Sequence, residues 1–98
     1  MIIKLSSCAH KDLKNIYEFL KLSSKKSAKK EIQLIYDAID NLLYFPYIGK
    51  KYCSLIKLNK DYRTIIVRKY IIFYVVEKDE IKIYRVFSTN EDYIKKIL

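Results

Sequence analysis

The stretch that decides the fold is DYRTIIVRKYIIFYVVEKDEIKIYRVFSTNEDYIKKIL, residues 61–98. Most of it is dense in β-branched and aromatic residues, which favour a pleated, half-buried surface. Short polar breaks separate three predicted strands, Tyr62–Val67, Tyr70–Glu77 and Ile81–Phe87. Connections this short leave no room for a crossover, so neighbouring strands are expected to run antiparallel.

The last residues of the stretch predict a short closing helix over residues 90–98. Asn90 is a candidate cap, acidic residues follow it, and Lys95 and Lys96 lie in the last turn. Acidic groups at the start and basic groups at the end are the arrangement that the helix dipole favours.

The residues before this stretch supply a helical layer. Met1–Leu5 is an apolar run that predicts an N-terminal strand, and Ser7 is a candidate N-cap for the helix after it. Apolar residues then recur at helical spacing from Ala9 to Leu20, which predicts a first helix over Ser7–Leu22.

A second, longer helix follows the polar segment Ser23–Ser27, in which Ser24 and Ser27 are cap candidates. Helical spacing of apolar residues continues from Ala28 to Leu42 and cannot extend past Pro46. A short strand-like stretch is expected around Leu55–Leu58. The sequence thus predicts one α+β domain over residues 1–98: an N-terminal helical hairpin packed on a twisted antiparallel sheet, which comprises the short N-terminal strand and three to four C-terminal strands, with a short C-terminal helix.

Composition excludes several classes of protein. Ninety-eight residues suffice for one core, and lysines interrupt every apolar run before it reaches membrane-spanning length. We expect a cytoplasmic protein with no membrane association. Cys8 and Cys53 have no partners that would make a disulfide framework or a metal site, and both are expected to be reduced and partly buried. The net charge of +9 favours an anionic partner, whether nucleic acid or acidic protein, and an AT-rich genome can also raise the lysine content.

The middle predicted strand, YIIFYVVE, is apolar on both faces. One face can pack on the helical hairpin, and the other needs a second cover. Either the C-terminal helix or another protein chain supplies it.

No sequence motif of a known enzyme class is present. The chain has no glycine-rich phosphate loop, HExxH or GxSxG motif, and no cofactor is expected. His10, the only histidine, falls on the polar side of the first helix and is expected at the surface.

The arginines are the informative cations, because Arg63, Arg68 and Arg85 are the only ones in a chain that otherwise uses lysine. A guanidinium binds phosphate or carboxylate at two points and stacks on rings. Arg63 and Arg85 can contact a nucleic acid or an acidic partner, or can pair with a carboxylate such as Asp61 or Glu77. Arg68 is expected to be exposed at a turn and functional.

The chain resembles the RelE/ParE superfamily of bacterial toxins from type II toxin–antitoxin systems, and its ParE-like branch most closely. The residues that carry the resemblance extend over nearly the whole chain. They are Ala9-His10-Lys11-Asp12-Leu13 with Ile16 and Tyr17, Ala38–Leu42 with Phe45-Pro46 and Gly49, Tyr62-Arg63, Val67 with Tyr70–Tyr74, Ile83–Val86, Asp92-Tyr93 and Ile97-Leu98.

The resemblance implies a toxin that forms a hetero-oligomer with a cognate antitoxin and acts either on DNA gyrase or on ribosome-bound mRNA. Inhibition of gyrase is the leading hypothesis, and mRNA cleavage or a non-toxic member that only binds antitoxin are the alternatives. The run Phe87–Tyr93 lacks the basic pair common in ParE-like members, and the middle strand offers no arginine for RNase chemistry.

Three sets of site residues follow from this resemblance. Cleavage of mRNA would use a catalytic set of Arg63, Arg68, Lys69, Arg85 and Tyr93. Target binding is expected at Lys50, Lys51, Arg68, Lys69, Ser88, Thr89 and Asn90. Antitoxin binding is expected on the second sheet face, at Ile71, Phe73, Val75 and Tyr84.

Overall fold

A computed structural model of the chain describes residues 1–51 and 61–89. Two helices pack on one face of a five-stranded sheet, which confirms the predicted α+β architecture. The elements in chain order are β1 Ile2–Leu5, α1 Ser7–Lys21, α2 Lys25–Asn41, β2 Lys50–Lys51, β3 Asp61–Val67, β4 Tyr70–Val76 and β5 Glu80–Ser88. The predictions for Leu55–Leu58 and for a helix over residues 90–98 lie outside the described residues.

The sheet has the order β1-β5-β4-β3-β2 and is mixed. The strands β3, β4 and β5 pair antiparallel as predicted, and the short strand β2 pairs antiparallel with β3. In contrast, β1 pairs parallel with β5, which corrects the expectation of a wholly antiparallel sheet. Because β1 runs parallel to the first half of β5, the helix α1 that follows it lies beside the second half of β5. The Ser6 amide donates to the Ile83 carbonyl and the Ser6 hydroxyl to the Tyr84 carbonyl, so this junction is fastened to β5.

Serine caps begin both helices. Ser6, one residue before the predicted cap Ser7, accepts from the Ala9 amide at 3.0 Å, and Ser24 accepts from the Ser27 amide at 3.2 Å. Ser6 takes the capping position because it is the last extended residue after β1 and its hydroxyl also reaches β5. The helix α2 ends at Asn41, well before Pro46.

The core lies between the two helices and one face of the sheet. Leu13, Ile35, Ile39 and Leu42 of the helical layer meet the sheet residues Tyr70, Ile72, Tyr74, Val76, Ile81, Ile83 and Val86. Burying each such isoleucine or leucine contributes roughly 1.5–3 kcal/mol. Alternate residues of β4 therefore point to the helices, and the intervening residues form the opposite face.

Two contacts fasten the helical layer to the sheet. Asp12 of α1 accepts from the Nε and Nη2 atoms of Arg85 at 2.8 and 3.0 Å and from the Val86 amide at 3.0 Å. At the other end, the buried Tyr74 hydroxyl accepts from the Gly49 amide at 2.8 Å and donates to the Pro46 carbonyl at 2.9 Å. The first contact ties α1 to the part of β5 that lies beyond β1, and the second fixes the turn after α2.

Gly49 is required by space rather than by backbone conformation, since its φ is not positive. A Cβ atom there would overlap the Tyr74 hydroxyl and would lie 2.9 Å from the Thr64 carbonyl oxygen. We expect Gly49→Ala to lower the free energy of unfolding by about 1–3 kcal/mol, the usual effect of overpacking. Urea unfolding measures the change, with the exposed neighbour Lys50→Ala as control. Equal stability of both variants would contradict this prediction.

Removal of the Asp12 carboxylate should loosen α1 from β5. We expect Asp12→Ala to cost about 1–2 kcal/mol, because three hydrogen bonds are lost while solvent still screens Arg85, whose side chain is 43% exposed. The control is Asp37→Ala, at an exposed position of α2, which gains the same helix propensity and loses only one exposed hydrogen bond, from Gln33. If the two variants unfold at the same urea concentration, the contact does not stabilise the fold.

Candidate functional site

The face of the sheet opposite the helices, here the outer sheet face, carries the predicted antitoxin-binding residues. Ile71, Phe73 and Val75 occupy alternate positions of β4, and Tyr84 lies on the neighbouring β5. Ile71, Phe73 and Tyr84 are half-buried, whereas Val75 is fully buried by the chain itself.

Aromatic contacts join the three long strands on this face. The rings of Tyr62 and Tyr84 lie 5.6 Å apart, and those of Phe73 and Phe87 meet edge to face at 5.9 Å. Ile66, which pairs with Ile71 across the β3–β4 ladder, is 68% exposed. The outer sheet face is therefore apolar, as the sequence of the middle strand predicts.

Four of the seven predicted target-binding residues lie together at one end of the sheet. Arg68 and Lys69 form the two-residue turn between β3 and β4, and Ser88 pairs with Tyr70 beside them. The Thr89 amide donates to the Lys69 carbonyl at 2.6 Å. Lys50 and Lys51 are exposed but lie on the edge strand β2, beside Thr64 and Arg63, and Asn90 lies outside the described residues.

Arg68 is exposed, as predicted, and has an unusual backbone conformation. Its φ of 56° makes it the only residue other than glycine with positive φ among residues 1–51 and 61–89. Such a conformation is costly for a residue with a Cβ atom. Its Nη2 atom lies 3.0 Å from Glu31 of α2, and the Arg68 side chain is 60% exposed. An ion pair this exposed contributes little stability.

The other two arginines have structural contacts. Arg63 donates through Nη1 to the carbonyls of Tyr47 and Gly49, at 3.1 and 2.9 Å, and its guanidinium lies 5.1 Å from the Tyr47 ring. Arg85 pairs with Asp12, a carboxylate that the sequence analysis did not suggest for it. Asp12 lies 73 residues away in the chain, so only the packing of α1 on β5 brings it there.

A cleft of about 340 Å³ opens between α1 and the end of the sheet. Its lining includes Asp12, Phe19, Tyr70, Arg85 and Phe87, and the Arg85 guanidinium lies 4.4 Å from the Phe87 ring. The hydrogen bond to Asp12 raises the pKa of Arg85, and burial followed by the charge of Glu31 raises the pKa of Tyr70. Arg85 and Tyr70 therefore lose their protons less readily than the free side chains do.

The predicted catalytic residues do not converge among the described part of the chain. Arg63 faces the turn after α2, Arg85 is held at the α1 edge, and β4 lies between their strands. Only Arg68 and Lys69 are adjacent, while Tyr93 lies outside the described residues.

Other predicted features can be placed directly. His10 is exposed as predicted, and Cys8 is exposed rather than partly buried, since it lies in the first turn of α1 away from the core. Residues 1–51 and 61–89 contain no group of three histidine, cysteine or acidic side chains that could hold a metal ion. Neither α1 nor α2 is long and apolar enough to cross a membrane.

Sequence reasoning missed two features of this molecule. Asp12 was not identified as the partner of Arg85, and no sequence signal links the two. The second feature is the exposure of the segment Leu43–Ile48, whose run of apolar side chains is visible in the sequence but was not assigned a role. In the structure Tyr44, Phe45, Tyr47 and Ile48 are all more than half exposed.

One family model matches nearly the whole chain, and a solved structure shares its fold. Residues 3–93 match the family model described as the ParE toxin of type II toxin-antitoxin system, parDE. A solved structure described as the chromosomal ParDE TA system from P. aeruginosa has a similar fold, with a TM-score of 0.73 and 24% sequence identity over 90% of this chain and 95% of that one. No curated protein matches the chain in sequence. Because the family model covers nearly all of its 98 residues, the chain belongs to the ParE toxin family of type II toxin–antitoxin systems.

Proposed function

We propose that the chain arrests growth in the cytoplasm by binding and inhibiting DNA gyrase, and that a cognate antitoxin neutralises it. Target binding involves the exposed turn Arg68-Lys69 together with Ser88 and Thr89, which lie beside it. Asn90, Lys50 and Lys51 are assigned to the same role from the sequence.

One observation supports binding over catalysis: two of the predicted catalytic arginines already hold the fold together. Arg63 donates to the turn carbonyls, and Arg85 forms a two-point pair with Asp12. An arginine that stabilises a phosphate in a transition state needs donors aimed at the substrate. Arg68 is the arginine whose structural contact is weakest, since it makes one exposed ion pair.

The competing function is ribosome-dependent cleavage of mRNA by Arg63, Arg68, Lys69, Arg85 and Tyr93. The net charge of +9 is compatible with it, because RNA attracts a basic protein as an acidic protein surface does. A third possibility is a member that has lost toxicity and retains antitoxin binding.

An antitoxin partner is supported by the apolar outer sheet face and by the similar fold, which comes from a toxin–antitoxin system. Ile71, Phe73 and Tyr84 would pack against an amphipathic segment of the antitoxin. Val75, which is fully buried, would support these residues from within the chain.

Gyrase inhibition can be separated from mRNA cleavage with the purified chain. We expect inhibition of DNA supercoiling by gyrase and no cuts at the ribosomal A site in toeprinting. Arg68→Ala with Lys69→Ala should raise the concentration for half-inhibition by about tenfold or more, since charged contacts dominate such encounters. Lys25→Ala with Lys26→Ala, at exposed positions in the first turn of α2, controls for the loss of two charges.

The outcomes distinguish the three readings. Discrete A-site cuts without an effect on gyrase would establish the enzyme instead. If expression of the chain does not slow growth at verified protein levels, the non-toxic reading holds.

Antitoxin binding can be tested on the outer sheet face. We expect Ile71→Lys to weaken binding of the antitoxin encoded beside this gene by about tenfold or more, because a charge would enter an apolar interface. Phe19→Lys, at an exposed apolar position of α1, is the control. Unchanged affinity of a folded Ile71→Lys variant, measured by calorimetry, would place the antitoxin elsewhere.

A further inference from the structure

The turn between α2 and β2 exposes an unusual number of large apolar side chains. Tyr44, Phe45, Tyr47 and Ile48 are 77%, 57%, 59% and 61% exposed, and Leu43 beside them is 42% exposed. Single exposed apolar residues are common on protein surfaces, but a contiguous group marks an interaction site. The segment Tyr44–Ile48, in which these four exposed side chains flank Pro46, is here called the aromatic turn.

Hydrogen bonds from two side chains of the sheet fix the backbone of the aromatic turn. The Tyr74 hydroxyl bonds to the backbone of Pro46 and Gly49, and Arg63 donates to the carbonyls of Tyr47 and Gly49. All of these bonds go to the backbone, and the four large apolar side chains of the turn are each more than half exposed. A preorganised surface loses little entropy on binding, which favours recognition.

The surroundings of the turn indicate the chemistry of its partner. Ile48 and Leu43 are aliphatic and add nothing to base stacking, whereas aromatic and aliphatic anchors together are typical of protein interfaces. Exposed Lys50 and Lys51 follow the turn directly, and the chain carries a net charge of +9. The best match is a protein surface with apolar side chains and flanking carboxylates.

The position of the turn separates it from the outer sheet face. Tyr74 belongs to the core face of β4, and its hydroxyl meets the turn, so the turn lies on the helical side of the sheet. Ile71 and Phe73 lie on the opposite side. A partner on the turn therefore need not compete for the surface assigned above to the antitoxin.

We propose that the aromatic turn is a docking surface for an acidic, apolar patch of DNA gyrase, with Tyr44 and Ile48 as its anchors. The inference rests on the proposed function and adds a second contact to the one at Arg68 and Lys69. Tyr47 is not assigned as an anchor, because its ring already lies beside the guanidinium of Arg63.

The test compares variants of the full chain in gyrase supercoiling assays. Tyr44→Ser with Ile48→Ser should raise the concentration for half-inhibition by about tenfold or more, the usual loss when interface anchors are removed. Phe19→Ser with Leu22→Ser removes two side chains that are 73% and 83% exposed elsewhere, and should leave inhibition unchanged. Thermal unfolding and antitoxin binding of each variant establish that the fold is intact.

Charge reversal provides an independent arm. Lys50→Glu with Lys51→Glu should weaken inhibition, and added salt should reduce the difference between this variant and the wild type. Full inhibition by the Tyr44→Ser/Ile48→Ser variant, or equal loss in the Phe19→Ser/Leu22→Ser control, would overturn the inference alone. A wild-type chain that does not inhibit gyrase would overturn the proposed function and the inference with it.

Discussion

The buried hydroxyl of Tyr74 connects the middle of the sheet to the turn that follows α2. Its ring lies in the centre of the core, and its oxygen bonds to the backbone on both sides of the turn that leads from α2 to the edge strand β2. A buried hydroxyl must be satisfied, and here its two partners are Pro46 and Gly49. The close approach excludes a side chain at position 49, so a glycine is needed there.

The three arginines show how differently one residue type is used. Arg63 supports the same turn as Tyr74, and Arg85 fastens α1 to β5 through Asp12. Arg68 makes only an exposed ion pair and has a backbone conformation that glycine or asparagine would adopt more easily. Structural contacts explain why arginine stands at positions 63 and 85. At position 68 the positive φ makes a residue with a Cβ atom unfavourable for stability. Residues in unfavourable backbone conformations concentrate at functional sites. The backbone conformation of Arg68 therefore supports the proposal that this residue binds the target.

Several features could be predicted because their signals are local. Apolar spacing located both helices, β-branched density located β3 to β5, and breaks of two and three residues required antiparallel pairing. The direction of β1 could not be predicted, since its partner β5 is remote in sequence and no short turn constrains the pair. The cap moved from Ser7 to Ser6 because the hydroxyl of Ser6 also bonds to β5, a contact outside the local pattern.

The sequence by itself determined the two amphipathic helices, the doubly apolar strand β4 and the basic character of the chain. These depend on periodicity and composition, which are written in neighbouring residues. Only the tertiary structure decided which arginines fasten the helical layer and the turn to the sheet, and which turn residues are exposed. Asp12 meets Arg85 across 73 residues, and Tyr74 meets the turn from 28 residues beyond Pro46. Such contacts depend on how the layers pack, because packing sets the distances between residues that are far apart in the chain.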